Sequence, residues 1–336
     1  MKKLITSFIV LFLIGFGTKT YAQAAGDFVY VQAASTDSLW LTQGNWKISD
    51  GNGGLTDATS LPTATNDVWI SAGSRLGIVP TSITNSTCQI TAGSKTVTLA
   101  AANLSIKAGW AVRNSDTFYG IAPGTYVESV SVDGLTVTLS KEATRTVAAA
   151  KLSYFPACKN LIINGSFRNQ TQFVVAGDIT VNRGGYFFQN SDLYCKNITN
   201  KGVFVATAGY RSSKALYLGF EGAIPGTGDY SIINDSIFGD TAPKVPQGTT
   251  AGIKVLYSNQ ANSVTIKPSA PSVATGKFNI AQIMPHANML TTANTTLNIT
   301  TDRQNLNFVG FYFYLFVYQL LAVFIFVLLK TYPLSK

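Results

Sequence analysis

The sequence predicts an all-β fold, and within that class a right-handed parallel β-helix, on three observations. Val, Ile, Thr, Tyr and Phe gather in short runs punctuated by Asn, Gly, Asp and Ser, the pattern of brief strands joined by tight turns. Between residues 23 and 307 no stretch carries a sustained helical apolar period. Glu, a strong surface helix former, occurs only three times, at Glu128, Glu142 and Glu221. Finally, a short motif recurs at even spacing.

That motif reads Leu161-Ile162-Ile163-Asn164-Gly165-Ser166-Phe167, then Ile179-Thr180-Val181-Asn182-Arg183-Gly184-Gly185-Tyr186-Phe187, then Ile198-Thr199-Asn200-Lys201-Gly202-Val203-Phe204. Asn164, Asn182 and Asn200 stand 18 residues apart. Each follows a β-forming run and precedes a Gly and then an aromatic. Asn and Gly tolerate left-handed backbone, so each N-x-G reads as a corner between strands. One such unit cannot bury an apolar face alone, whereas stacked copies can. The expectation is a solenoid with the three Asn side chains in one ladder along one edge. A β-sandwich with evenly spaced Asn-Gly turns is the alternative.

Cys158 and Cys195 each stand three residues before a repeat start, with Ala176 in the matching place of the middle repeat. Stacked strands then put the two thiols in one column two rungs apart, about 9–10 Å between Cα atoms and beyond disulfide reach. Buried, unbridged thiols are expected. Cys88 is a third, odd cysteine and His286 the only histidine, so no metal-ligand spacing exists.

The ends differ in character. In residues 1–22, Lys2 and Lys3 precede an apolar run and small residues follow at Ala22, Ala24 and Ala25, which reads as a signal peptide cleaved after Ala22. Residues 308–329 contain Gln319 as the one strongly polar side chain and are long enough to span a bilayer; 330–336 form a short basic tail. That arrangement exports residues 23–307 and anchors them in the membrane through 308–329. The abrupt change at Phe308 leaves a frameshifted end as the other reading. The formal charge is +9, but Lys2, Lys3, Lys19, Lys330 and Lys336 lie in the ends; 20 basic and 16 acidic groups remain between them, a net +4. Charge this diffuse excludes a nucleic-acid footprint. Low charge also argues against a disordered polyelectrolyte, and the aperiodic Gly excludes collagen.

Gly44-Asn45-Trp46, Leu61-Pro62 and Asn66-Asp67-Val68-Trp69-Ile70, followed by Ala157-Cys158-Lys159-Asn160-Leu161-Ile162-Ile163-Asn164-Gly165, resemble the opening of exported bacterial surface proteins that lead into β-helix rungs, and the G8-type domains of extracellular proteins. On this resemblance residues 23–90 form an N-terminal cap and first rungs, with Trp46 and Trp69 capping the open end; ordinary core tryptophans are the alternative. Residues 91–154 interrupt the pattern. Their Gly124-Thr125-Tyr126-Val127 turn and Thr136-Val137-Thr138-Leu139-Ser140 strand resemble a small β module of phage-tail and surface proteins, read as an insertion. Residues 155–307 continue the β-helix.

Function is less legible. Asp229, Asp235 and Asp240 are the densest acids, each beside Gly, Asn or Ser as turn-forming Asp residues are; a calcium site is the weaker reading and catalysis the weakest. Tyr210, Tyr217 and Tyr230 form either a sugar-stacking platform or buried stacks. Asp37-Ser38-Leu39, Asp235-Ser236-Ile237 and Asp240-Thr241-Ala242 resemble bacterial O-glycosylation sites at Ser38, Ser236 and Thr241. No cofactor beyond calcium is expected. The resulting expectation is a non-catalytic exported cell-surface or envelope scaffold, adhesin-like, contacting an extracellular glycan or surface protein. The alternative is a carbohydrate-active β-helix, a polysaccharide lyase or glycoside hydrolase.

Overall fold

The computed structural model describes residues 22–32, 38–78, 83–114, 120–122, 125–170, 172–206, 215–221, 224–240, 253–258, 260–268, 280–285 and 296–299. Residues 1–21 of the expected signal peptide, the apolar stretch 308–329 and the tail 330–336 lie outside them, as do Tyr210, Thr241 and His286. Among the described residues the fold is all-β. The one helical element is a 3-10 turn, Gln43–Asn45, and no helix is long and apolar enough to cross a membrane.

Three sheets are built by parallel pairing of short strands. The first stacks Ala25–Tyr30, Val68–Ile70, Leu161–Ile163, Ile179–Val181, Ile198–Asn200, Asp229–Asn234, Ser263–Pro268 and Thr296–Ile299. The second stacks Arg75–Ile78, Ser166–Asn169, Tyr186–Gln189, Val203–Ala206 and Ile237–Asp240. The third stacks Ala157–Cys158, Phe173–Val175, Leu193–Cys195, Leu216–Leu218, Ile253–Tyr257 and Ile280–Pro285. From Leu161 to Ser263–Pro268 the described strands visit the first, second and third sheet in rotation, each return landing one strand further along. Leu161, Ile179, Ile198 and Ile232 are successive register partners, so the circuits span 18, 19 and 34 residues. An antiparallel hairpin, Trp46–Asp50 with Leu55–Asp57, covers the N-terminal edge of the first sheet. Its last strand is short, exposed and tied by a Lys47–Asp57 ion pair, which blunts the edge.

Register decides what fills the interior. Val68, Leu161, Ile179, Ile198, Ile232 and Ile266 form an inward column on the first sheet. On the second, Leu76, Phe167, Phe187, Phe204 and Phe238 do the same. Centroids of successive Phe rings lie 5.1, 4.6 and 4.8 Å apart. Burying each ring contributes about 1.5–3 kcal/mol, and each ring pair about 0.5–1.5 kcal/mol more. Trp40 and Trp46 close the N-terminal end of this column, edge to face at 4.8 Å, with Trp46 Nε1 donating to Trp40 O. Trp69 does not share that place. Its strand neighbours Val68 and Ile70 point inward, so alternation turns Trp69 outward against Val29 and Ile162, where its Nε1 donates to Asp27.

The corner asparagines divide into two pairs. Asn182 donates to Asn164 Oδ1 at 2.8 Å, both half-buried. Asn200, however, is the register partner of Val181 and Asn234. It donates to Asn234 Oδ1 (2.7 Å) and Ile237 O (3.0 Å), accepts from Gly202 N, and is fully buried. The even spacing of 18 is therefore not a single ladder. The Arg183-Gly184 turn, with Gly184 at φ +81°, lengthens the middle corner and shifts Asn200 into the strand. A second run of side chains precedes the first sheet: Asn160 donates to Asp67, its Oδ1 accepts from Asp178 N, Asn197 donates to Asp178, and Asn197 Oδ1 accepts from Ser231 N. Alternation of acid and amide gives each carboxylate here a donor.

The corner glycines serve close approach. Among the described residues no non-glycine has positive φ, and neither do Gly165, Gly185 and Gly202. A Cβ on Gly165 would collide with the carbonyls of Ser71 and Ser74, on Gly185 with that of Ile163, and on Gly202 with those of Asn182 and Gly185. Each circuit thus rests its backbone on the one before.

Ile83–Ile90 to Val147–Phe155 leave the rotation and form a separate six-stranded antiparallel sheet. Its two edges meet where Ala111 bridges Tyr126 and Val112 N donates to Thr125 O, so the sheet nearly closes on itself around its own apolar core. The module opens at Ile83 rather than residue 91, because Val147–Phe155 claims Ile83–Ile90 as its antiparallel partner.

Cys158, Val175, Cys195 and Leu218 follow one another in the third-sheet column, with Val175 where Ala176 was expected. All three cysteines are buried thiols with no disulfide. Burial pushes the Cys158 and Cys195 thiols well up, Asp67 and Asp178 adding to it, and pushes Cys88 from 9.0 to about 11.

Two outcomes follow. Asn200→Ala strands the Asn234 and Ile237 acceptors and should cost about 1–3 kcal/mol in urea unfolding, more than Asn164→Ala. The thiols stay protonated in the fold after the unfolded chain has released them. Stability is therefore intact below pH 9.0 and declines as pH rises toward about 11, a decline that Cys88→Ala should reduce when unfolding is measured across that window.

Candidate functional site

Strand alternation that sends Phe167, Phe187 and Phe204 inward sends their neighbours out of the second sheet. Tyr186 and Phe188 flank Phe187, and their rings lie 6.2 Å apart with planes 8° from parallel. Tyr186 is 45% exposed. Arg168, the register partner of Phe188 on the preceding strand, sets its guanidinium 5.5 Å from that ring's centroid. On the following strand Val203 and Val205 pair with Tyr186 and Phe188, and Ile237, 39% exposed, extends the first column. Arg75 begins that column as the partner of Ser166 and is exposed.

The outward columns are therefore Arg75, Ser166, Tyr186, Val203, Ile237 and Gly77, Arg168, Phe188, Val205, Gly239, of which Val205 and Gly239 are buried. They hold two cations and no acid, and among the described residues no carboxylate pairs with either arginine. A partly exposed pair of parallel aromatic rings, beside guanidinium groups that pair with no carboxylate among the described residues, supplies apolar contact and forked hydrogen-bond donors on a rigid backbone.

The residues singled out from sequence lie elsewhere. Asp229 opens the strand Asp229–Asn234 and accepts from Ser263 Oγ, while Asp235 follows its other end, about 20 Å away at the usual rise. Asp240 ends the next strand, on the second sheet. Asp229 and Asp235 therefore stand apart, and among the described residues no three His, Cys, Asp or Glu gather as metal ligands. Tyr230 points inward and is buried, because its even-numbered neighbour Ile232 also faces the core. Tyr217 points outward on the third sheet, stacked on Tyr194 at 4.2 Å and 5°, beside Tyr126, Phe155 and Ala111 of the barrel module. That stack seats the barrel. Ser38 and Ser236 are half-buried at corners, where Ser38 O accepts from Gly77 N and Ser236 O from Asn234 Nδ2.

Sequence reading passed over the Tyr186–Phe188 surface. Its signal was the aromatic triplet Tyr186-Phe187-Phe188: in a strand such a run must place aromatics on both faces. Comparison with protein-family models, with curated proteins and with solved structures finds no match for this chain.

A platform held for contact rather than packing predicts unequal costs along one strand. Tyr186→Ser should leave the free energy of unfolding in urea within about 0.5 kcal/mol of the parent, whereas Phe187→Ala should cost about 3–5 kcal/mol.

Proposed function

We propose that the three parallel sheets are the faces of a right-handed β-helix, and that the chain is a non-catalytic, exported cell-surface or envelope scaffold, adhesin-like in action, that contacts glycan. The rotation of the chain through three sheets in constant register supports the solenoid. The resemblance of residues 44–70 to exported surface proteins, and the apolar ends of the sequence, support export and attachment.

The observation that carries glycan contact is the outward Tyr186–Phe188 surface with Arg168 beside it. A sugar ring has an apolar C–H face and a polar rim, and such a surface answers both at once. The mechanism is geometric: stacked circuits hold this face and the barrel module at fixed positions, away from the membrane.

The test incubates the full chain, in mild detergent, with a panel of polysaccharides and scores both retention and new reducing ends. Retention without product is expected. Product formation makes the chain a carbohydrate-active enzyme, and failure of every glycan to retain it removes glycan contact from the reading.

A further inference from the structure

We infer that the outward face of the second sheet selects an acidic polysaccharide, one whose sugar rings carry carboxylates, over a neutral one; this rests on the glycan-contact reading above. Three features point the same way. First, the two outward columns contain Arg75 and Arg168 and no acid, so the local field favours an anion. Second, Arg168 lies over the Phe188 ring, which orients the planar fork without neutralising it. A guanidinium held in this way keeps its edge donors for a carboxylate, which it binds as a bidentate pair. Third, Tyr186 and Phe188 stand two residues apart on one strand with Arg168 on the strand before them, so an extended chain laid against the exposed Tyr186 side chain can bring a carboxylate to the Arg168 guanidinium.

The spacing of charge separates this occupant from a nucleic acid, which also stacks on aromatics. Single strands carry a phosphate at every residue and are tracked by a continuous basic groove. Here two cations flank a patch that continues into Val203 and Ile237, uncharged side chains that would face phosphates unfavourably. Sparse carboxylates between apolar ring faces match that pattern. Arg183 and Lys201 lie at the corners that lead into the strands of Tyr186 and Val203, and Asp235 is the acid one circuit further on.

The experiment is affinity electrophoresis of the full chain through gels containing polygalacturonate, its methyl ester, or neutral dextran. The ester keeps the backbone and removes the charge. Polygalacturonate should retard the chain and the other two should not, and retardation should fall as sodium chloride is raised. Arg168→Gln and Tyr186→Ser should each weaken the apparent affinity about tenfold or more, with unchanged thermal unfolding. Equal retardation by polygalacturonate and its ester would overturn the acidic preference while leaving glycan contact standing. Retardation by none of the three, with retention elsewhere on a neutral glycan of the wider panel, also overturns the preference alone. Undiminished retardation of an Arg75→Gln/Arg168→Gln variant would place binding on another face and defeat the inference, as would tighter binding of single-stranded DNA than of polygalacturonate.

Discussion

Hydrogen bonding between parallel neighbours holds successive strands about 4.8 Å apart, and the corners, core and buried amides of the three parallel sheets conform to that spacing. At the corners it leaves no room for a Cβ between stacked backbones, so Gly165, Gly185 and Gly202 are needed for space rather than for unusual dihedral angles. Inside, it brings Phe167, Phe187, Phe204 and Phe238 into ring contact. It also sets the Asn164–Asn182 and Asn200–Asn234 amides at bonding distance, which removes the cost of burying them unpaired.

The same constraint divides labour between faces. Apart from the buried Asn200–Asn234 pair, the inward positions of the three parallel sheets are committed to one apolar core, leaving their other faces free to differ. On the third sheet, Val174, Tyr194 and Tyr217 pack beneath the barrel module. On the first, Val29, Trp69 and Ile162 form a buried outward cluster. On the second, Tyr186, Arg168 and Ile237 remain open to solvent. Among the described residues this last face sets the exposed Tyr186 beside arginines that no carboxylate pairs, so the proposed recognition is assigned there.

Much of this was legible as pattern. The triplets Leu161-Ile162-Ile163, Ile179-Thr180-Val181 and Ile198-Thr199-Asn200 read as strands and pair as such. Less legible was anything depending on single-residue register. Equal spacing suggested that Asn200 continues the line of Asn164 and Asn182, but the two residues added by the Arg183-Gly184 turn, less one lost between Leu193 and Ile198, displace it by one position, and one position in a strand changes the face. Trp69 was misplaced for the same reason. A further repeat, Asn234 to Phe238, was hidden because its circuit spans 34 residues and its corner has no glycine. Ile83–Ile90 was assigned to the wrong unit because antiparallel partners distant in sequence leave no local mark.

Disulfide trapping tests the stacking most directly. Ser166 and Tyr186 are immediate register partners on the second sheet, whereas Ser166 and Val203 are separated by one intervening strand. With parallel neighbours about 4.8 Å apart, the first pair is within disulfide reach and the second, about 9.6 Å apart, is beyond it. Under mild oxidation, Ser166→Cys/Tyr186→Cys should form an intramolecular bridge detected by mass spectrometry, and Ser166→Cys/Val203→Cys should not. Bridging of the second pair in place of the first, or equal bridging of both, contradicts the stacked register.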